Sequence, residues 1–240
     1  MRTQSIDRLL IILATITLIA GLYLALFWAP RENTMGDVQR IFYIHVPAAW
    51  TSFVAFFLVF VYSIAYLARR RRSRDALAAA CAEVGLVFAT INLATGPIWA
   101  RPVWGIWWTW DARLTMMLVL WLMYVAYVML RHYMIDPERR ATFSAVVGII
   151  GFLNVPIVYM SIRWWRTQHP QPVIAGGSDS GLDPKMRLAL LACWVAFILL
   201  CAILVRRRVR LSALIDELDA LQAHTEGNHI SAEFGGTEHS

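Results

Sequence analysis

Charge is scarce in this chain. Only 16% of its 240 residues are Asp, Glu, Lys or Arg, while 59% are hydrophobic; soluble domains carry about 25% charged residues. With a mean hydropathy of +0.55, a water-soluble globular domain is excluded, as are collagen-like and disordered chains. Cysteine is nearly absent. Cys81, Cys193 and Cys201 lie in apolar runs without C-x-x-C spacing, which excludes a disulfide scaffold and predicts inert, buried thiols rather than redox or zinc chemistry. No G-x-x-x-x-G-K-[ST] segment occurs, so ATP is not bound through a Walker loop. There is no internal sequence repeat.

What is present is apolar length. A bilayer core about 30 Å thick needs about 20 helical residues, and six stretches meet that need: 9–28, 47–67, 76–96, 114–134, 141–160 and 186–205. The first is longer than the hydrophobic region of a signal peptide, and Leu24 to Pro30 is a poor cleavage site, so it reads as a retained span. Arginine then orients the chain. The N-terminus, the second and fourth loops and the tail hold 14 Lys+Arg, five of them between Arg69 and Arg74; the other three loops hold 8. The richer side should face the cytoplasm, with both termini inside. The fold class is thus an all-α integral membrane protein with six transmembrane helices. Residues 1–205 form the membrane domain and 206–240 a cytoplasmic tail. Segments 29–46, 97–113 and 161–185 lie outside.

Tryptophan is concentrated in the second of these. Of eleven in the chain, Trp99, Trp104, Trp107, Trp108 and Trp110 fall within 99–110. An interfacial aromatic belt accounts for one or two at a helix end, not five in twelve residues on one side. If Trp104 to Thr115 is helical, then Trp104, Trp107, Trp108, Asp111 and Thr115 share one face; an extended segment is the alternative, since Gly105, Pro97 and Pro102 weaken a helix. Either arrangement offers indole area and N–H donors to a flat apolar ligand. Of the six histidines only His45 and His169 lie outside. His45 stands two residues before Pro47, read as a first-turn proline of span two, and His169 directly precedes Pro170. Both imidazoles are expected just past helix ends, beside the tryptophans, where neutral imidazole can ligate iron. Arg101, Arg113, Arg163 and Arg166 are external and suited to pair with carboxylates. Haem unites these requirements: a flat ring, an axially ligated iron and two propionates.

The segment WGIWWTWDARLT resembles the WWD signature of haem-handling proteins in cytochrome c biogenesis. With YIHVPAAW, NVPIVYMSIRWWRTQHP and six spans, residues from about 35 to about 205 are similar to the haem exporter protein C (CcmC) family. The resemblance implies a protein that is not itself an enzyme, beyond a lyase-like assistance to its partner. It would bind haem b on the outer face of the cytoplasmic (inner) membrane and pass it to a periplasmic chaperone (CcmE), which attaches haem through its own histidine. It implies axial ligands at His45 and His169, and a platform of Trp104, Trp107, Trp108, Trp110 and Asp111, followed by Arg113. Implied partners are an ABC-type ATPase and its membrane subunit (CcmA, CcmB) and the small single-span CcmD, together with membrane lipid and no nucleic acid. Rival readings are a transmembrane haem permease and an assembly subunit that does not ligate haem.

Two departures from that resemblance stand out. The Gly/Ser-rich stretch QPVIAGGSDSGLDP after His169 looks longer than usual. The tail carries Leu211, Leu214, Ile215, Leu218 and Leu221 at helical spacing, which predicts an amphipathic helix over 209–223 that lies on the inner surface or docks on a partner. His224, His229 and His239 are too loosely spaced for a metal site. Glu83, within a span, should reach water or pair with the Arg69 to Arg74 cluster. Asn154 and Pro156 should bend span five and turn Trp164, Trp165 and His169 toward the tryptophans.

Overall fold

The computed structural model describes residues 2–165, 169 and 181–234. Six helices follow in chain order: α1 (Arg2–Tyr23), α2 (Phe42–Arg69), α3 (Arg72–Trp104), α4 (Ala112–Tyr133), α5 (Pro137–Trp164) and α6 (Pro184–Phe234). A π-helical turn, Leu24–Trp28, ends α1, and a 3-10 turn, Asp37–Ile41, leads into α2. Each of the six carries an apolar stretch long enough to cross a membrane, so the chain is a multi-pass, all-α membrane protein. Among the described residues the extended backbone amounts to an isolated bridge, Glu32 to Gly36.

The helices outrun the apolar stretches that predict them. α2 begins at Phe42, which places Pro47 inside it, and α3 continues through Pro97 and Pro102 to Trp104. Proline removes one helical N–H, yet in or near a bilayer no water stands ready to satisfy unwound backbone, so the helix persists. α5 is likewise continuous through Pro156, with Asn154 donating to the Met116 carbonyl of α4 at 3.0 Å; it is not interrupted there.

Small residues let α2, α3, α4 and α5 approach closely. Ala78, Ala82 and Ala89 of α3 are buried against Phe56 and Val59 of α2 and Tyr124 and Tyr127 of α4. The Phe56 and Tyr124 rings stack 3.6 Å apart. Gly148 of α5 faces this layer, where an added Cβ would sit 2.8 Å from Val59 Cγ1. α1 and α6 pack together beside it, with Gly21 against the Cys193 backbone. Cys81, Cys193 and Cys201 are buried free thiols, in line with their apolar surroundings.

Ion pairs tie the arginine-rich ends together. Arg131 meets Asp75 through two bonds of 2.6 and 2.8 Å, both side chains about 15% exposed. Arg206 and Arg210, one helical turn apart, both bond Asp7 of α1, which sets the arginine-rich stretch of α6 beside the first turns of α1. Glu83 pairs with Arg208 of α6, one of its bonds 2.8 Å long, not with the Arg69 to Arg74 cluster. Two of those arginines bond elsewhere: Arg70 donates to Thr142 Oγ1 and Arg74 to the Ala65 carbonyl.

α6 runs unbroken from its span into the tail. Fifty-one residues correspond to about 76 Å of helix, far beyond a bilayer's thickness. Leu211, Leu214, Ile215, Leu218 and Leu221 are all exposed along it. The tail is helical, as its spacing predicts, but as a continuation of α6 and not as a separate element. The side chains of His224 and His229, and all of His239, lie outside the described residues.

Candidate functional site

The beginnings of α2 and α4 and the ends of α3 and α5 meet opposite the arginine-rich side, and a cleft opens between them. It has about 920 Å³ of empty space between its walls and at its mouth. His45 and His169 both line it, with Trp99, Trp104, Trp108 and Arg113. The rest of the wall is largely apolar, including Trp50, Phe53 and Met117. His45 is the fourth residue of α2 rather than a residue beyond its end, because the helix starts five positions before Pro47.

Beyond Trp104 the tryptophan-rich segment leaves the helix until α4 begins at Ala112. α3 ends at Trp104, where Gly105 takes φ +78° and its N–H bonds the Arg101 carbonyl at 3.0 Å, a left-handed helix stop that glycine adopts without strain. Arg101, exposed, donates to the Gly105 carbonyl. The chain then runs irregularly to Asp111, whose carboxylate accepts the Leu114 N–H and the Thr109 hydroxyl, each at 3.0 Å. Asp111 is therefore the N-cap of α4. Without helical periodicity, neighbouring tryptophans diverge. Trp104 and Trp108 line the cleft; Trp107 and Trp110 are 59% and 76% exposed. Trp110 packs edge-on against Trp108 with ring centroids 5.8 Å apart. Asp111, Trp107 and Trp110 thus border the cleft from outside its wall.

Arg113 is the second residue of α4 and reaches across to α5, where Nη1 donates to the Val158 carbonyl at 2.7 Å. Trp164 and Trp165 are exposed and pair edge-to-face with each other, away from the cleft wall. Arg166, Pro170 and most of the Gly/Ser-rich stretch lie outside the described residues.

The walls carry unanswered donors. Among the described residues the buried indole nitrogens of Trp99 and Trp108 have no hydrogen-bond partner, and a buried N–H left so costs about 1–3 kcal/mol. Both belong to residues that line the cleft, but the nitrogens themselves are covered, so an acceptor-bearing ligand reaches them only once the indoles turn. A flat apolar molecule with carboxylates fits these features: indole walls, two N–H groups, a guanidinium and two imidazoles.

Two residues beside His45, Asn92 and Thr95, escape a reading of the motifs alone. Asn92, Thr95 and Trp99 stand at i, i+3 and i+7 on α3, one stripe facing His45. Asn92 donates to the His45 carbonyl at 3.1 Å, Thr95 Oγ1 is 2.9 Å from His45 Nδ1, and Trp99 meets the ring edge-to-face at 5.7 Å. The available signal was Asn92 and Thr95 close together near the end of a largely apolar span.

The family described as Heme exporter protein C matches residues 2–224. The chain belongs to that family. It is 38% identical over 207 residues to heme exporter protein C of Bradyrhizobium diazoefficiens, covering 82% of this chain and 78% of the relative. It is 35% identical over 208 residues to heme exporter protein C of Escherichia coli K12, covering 87% and 84%. A putative cytochrome c biosynthesis ccmC-like mitochondrial protein of Marchantia polymorpha is 30% identical over 183 residues, covering 76% and 77%. The haem exporter protein C family is one of haem handling in cytochrome c maturation and not an enzyme family.

Proposed function

We propose that this chain holds haem b in the cleft, on the periplasmic side of the cytoplasmic membrane, and delivers it to a periplasmic haem chaperone of the CcmE kind. His45 and His169 serve as axial ligands. Trp104 and Trp108 press on the ring, Arg113 and the Trp99 and Trp108 N–H groups receive the propionates, and Asp111 holds the loop. Exposed Trp107 and Trp110 meet the chaperone. Haem brings the iron and the vinyl groups; the chain positions them and keeps water from the apolar faces. Attachment belongs to the chaperone, with this chain's assistance limited to orienting a vinyl edge. CcmA, CcmB and CcmD complete an ABC-type complex that supplies the energy.

The observation that carries this reading is the convergence on one cleft of two histidines 124 positions apart in sequence, together with two buried indole N–H groups that have no partner among the described residues. The cleft's position opposite the arginine-rich ends supports the periplasmic side. A permease would need polar groups free along a path through the bilayer. Asn154 is engaged with Met116 and Glu83 with Arg208, which favours a surface site.

The test is the optical spectrum of protein purified from haem-replete cells. A Soret band that disappears in the His45→Ala, His169→Ala double variant is expected, and a pyridine haemochrome should identify haem b. An unchanged band in that variant rejects the ligand assignment. Labelling of a Trp110→Cys variant from the periplasm fixes the side.

A further inference from the structure

Two helices meet at the His45 ring. Its Nδ1 lies 2.9 Å from Thr95 Oγ1. The same hydroxyl lies 2.8 Å from the Ile91 carbonyl oxygen and 3.1 Å from that of Asn92. A hydroxyl has one proton and a carbonyl oxygen has none. The 2.8 Å approach to Ile91 therefore has Thr95 donating back along its own helix, as helical threonines do. The lone pairs left on Oγ1 face His45, so in that bond Nδ1–H donates and Thr95 accepts. Neutral imidazole has one ring proton. With that proton on Nδ1, the lone pair is on Nε2.

Asn92 does not compete for that lone pair. Its Nδ2 is 3.3 Å from Nδ1 and 3.2 Å from Nε2. Near-equal distances to two nitrogens that flank Cε1 put the amide over the ring face, because an in-plane position would collide with Cε1. The nitrogen lone pair lies in the ring plane and stays open. The ring is thus held by a hydroxyl at Nδ1, an amide on one face and the Trp99 indole.

We infer that Thr95 is a positioning residue: it fixes His45 as the Nδ1–H tautomer and so makes Nε2 the nitrogen available to a metal in the cleft, while Asn92 holds the ring's orientation. The consequence for iron rests on the ligand reading above; the tautomer does not. An acceptor on the distal N–H of a ligating histidine orients the ring and raises its basicity, and removing such a partner typically costs about 10–100-fold in metal affinity. Valine keeps threonine's shape without the acceptor, and serine keeps the acceptor.

The test uses the full-length protein in detergent, freed of haem and labelled with 15N-histidine, the His45 signals being assigned by their loss in His45→Ala. Wild type and Thr95→Ser should show the Nδ1–H tautomer, and Thr95→Val should lose it. In haem titrations Thr95→Val should bind roughly tenfold more weakly, with Thr95→Ser close to wild type. A wild-type His45 protonated at Nε2 overturns the inference. So does a Thr95→Val protein that titrates like wild type while His45→Ala does not bind, an outcome that leaves the ligand reading standing. Haem binding undiminished in His45→Ala instead sinks the ligand reading, and Thr95's role at iron with it. If Thr95→Val does not fold, the wild-type tautomer decides.

Discussion

Arg113 and Val158 join the two ends of the cleft: the guanidinium at the start of α4 donates to the backbone carbonyl near the end of α5 at 2.7 Å. The Val158 carbonyl also accepts the Ser161 hydroxyl, so one oxygen anchors both its own helix and its neighbour. Arg113→Lys keeps the charge but loses the planar fork. It should reduce haem occupancy roughly tenfold, in keeping with about 1.5–3 kcal/mol for a charge-assisted bond; Arg113→Ala should reduce it further. The ratio of Soret to protein absorbance measures both.

The tryptophans should separate into two phenotypes. Trp99→Phe and Trp108→Phe keep the aromatic wall and delete the unpartnered N–H groups. Each should weaken haem binding roughly two- to tenfold, matching about 0.5–1.5 kcal/mol for a neutral hydrogen bond. Trp107→Ala and Trp110→Ala, exposed in this structure, should leave the Soret band intact and lower the yield of haem-loaded chaperone. Trp107→Ala combined with Trp108→Ala should impair both. Equal effects of all four single changes on haem titration would contradict the division.

Asp111 has a structural duty that is separable from any contact with ligand. Asp111→Ala removes the acceptor for the Leu114 N–H and should cost about 1 kcal/mol as a lost N-cap. Asp111→Ser should recover most of that in thermal unfolding in detergent. A serine variant that is stable yet poor in haem binding would show that the carboxylate's charge also acts on the ligand.

Gly148 tests the packing between α2 and α5. Its missing Cβ would lie 2.8 Å from Val59 Cγ1 and 3.1 Å from Ser63 Oγ. Gly148→Ala should destabilise by about 1–3 kcal/mol through overpacking, and adding Val59→Ala should return part of the loss. Thermal unfolding of the single and double variants reads out the coupling.

The six spans were legible in the sequence because the bilayer imposes a local rule: every backbone group must be satisfied within its own segment, so an apolar run of sufficient length becomes a helix. Their ends were less legible. Pro47, Pro97 and Pro102 mark helix boundaries in soluble proteins, whereas here α2 and α3 include them. That His45 and His169 share a cleft with tryptophans could be anticipated from residue type and from the loops expected on one side of the membrane. The helical face expected over Trp104 to Thr115 could not survive Gly105, whose positive φ ends α3 and turns the following residues irregular.

By itself the sequence determined the membrane class, the number of crossings and the uneven distribution of arginine, since composition and run length act along the chain. Tertiary structure alone decided which indoles face the cleft, that Glu83 answers Arg208, and that Thr95 and Asn92 grip His45. Those partners stand between 47 and 125 positions apart, and only the packing of whole helices brings such distant side chains within bonding reach.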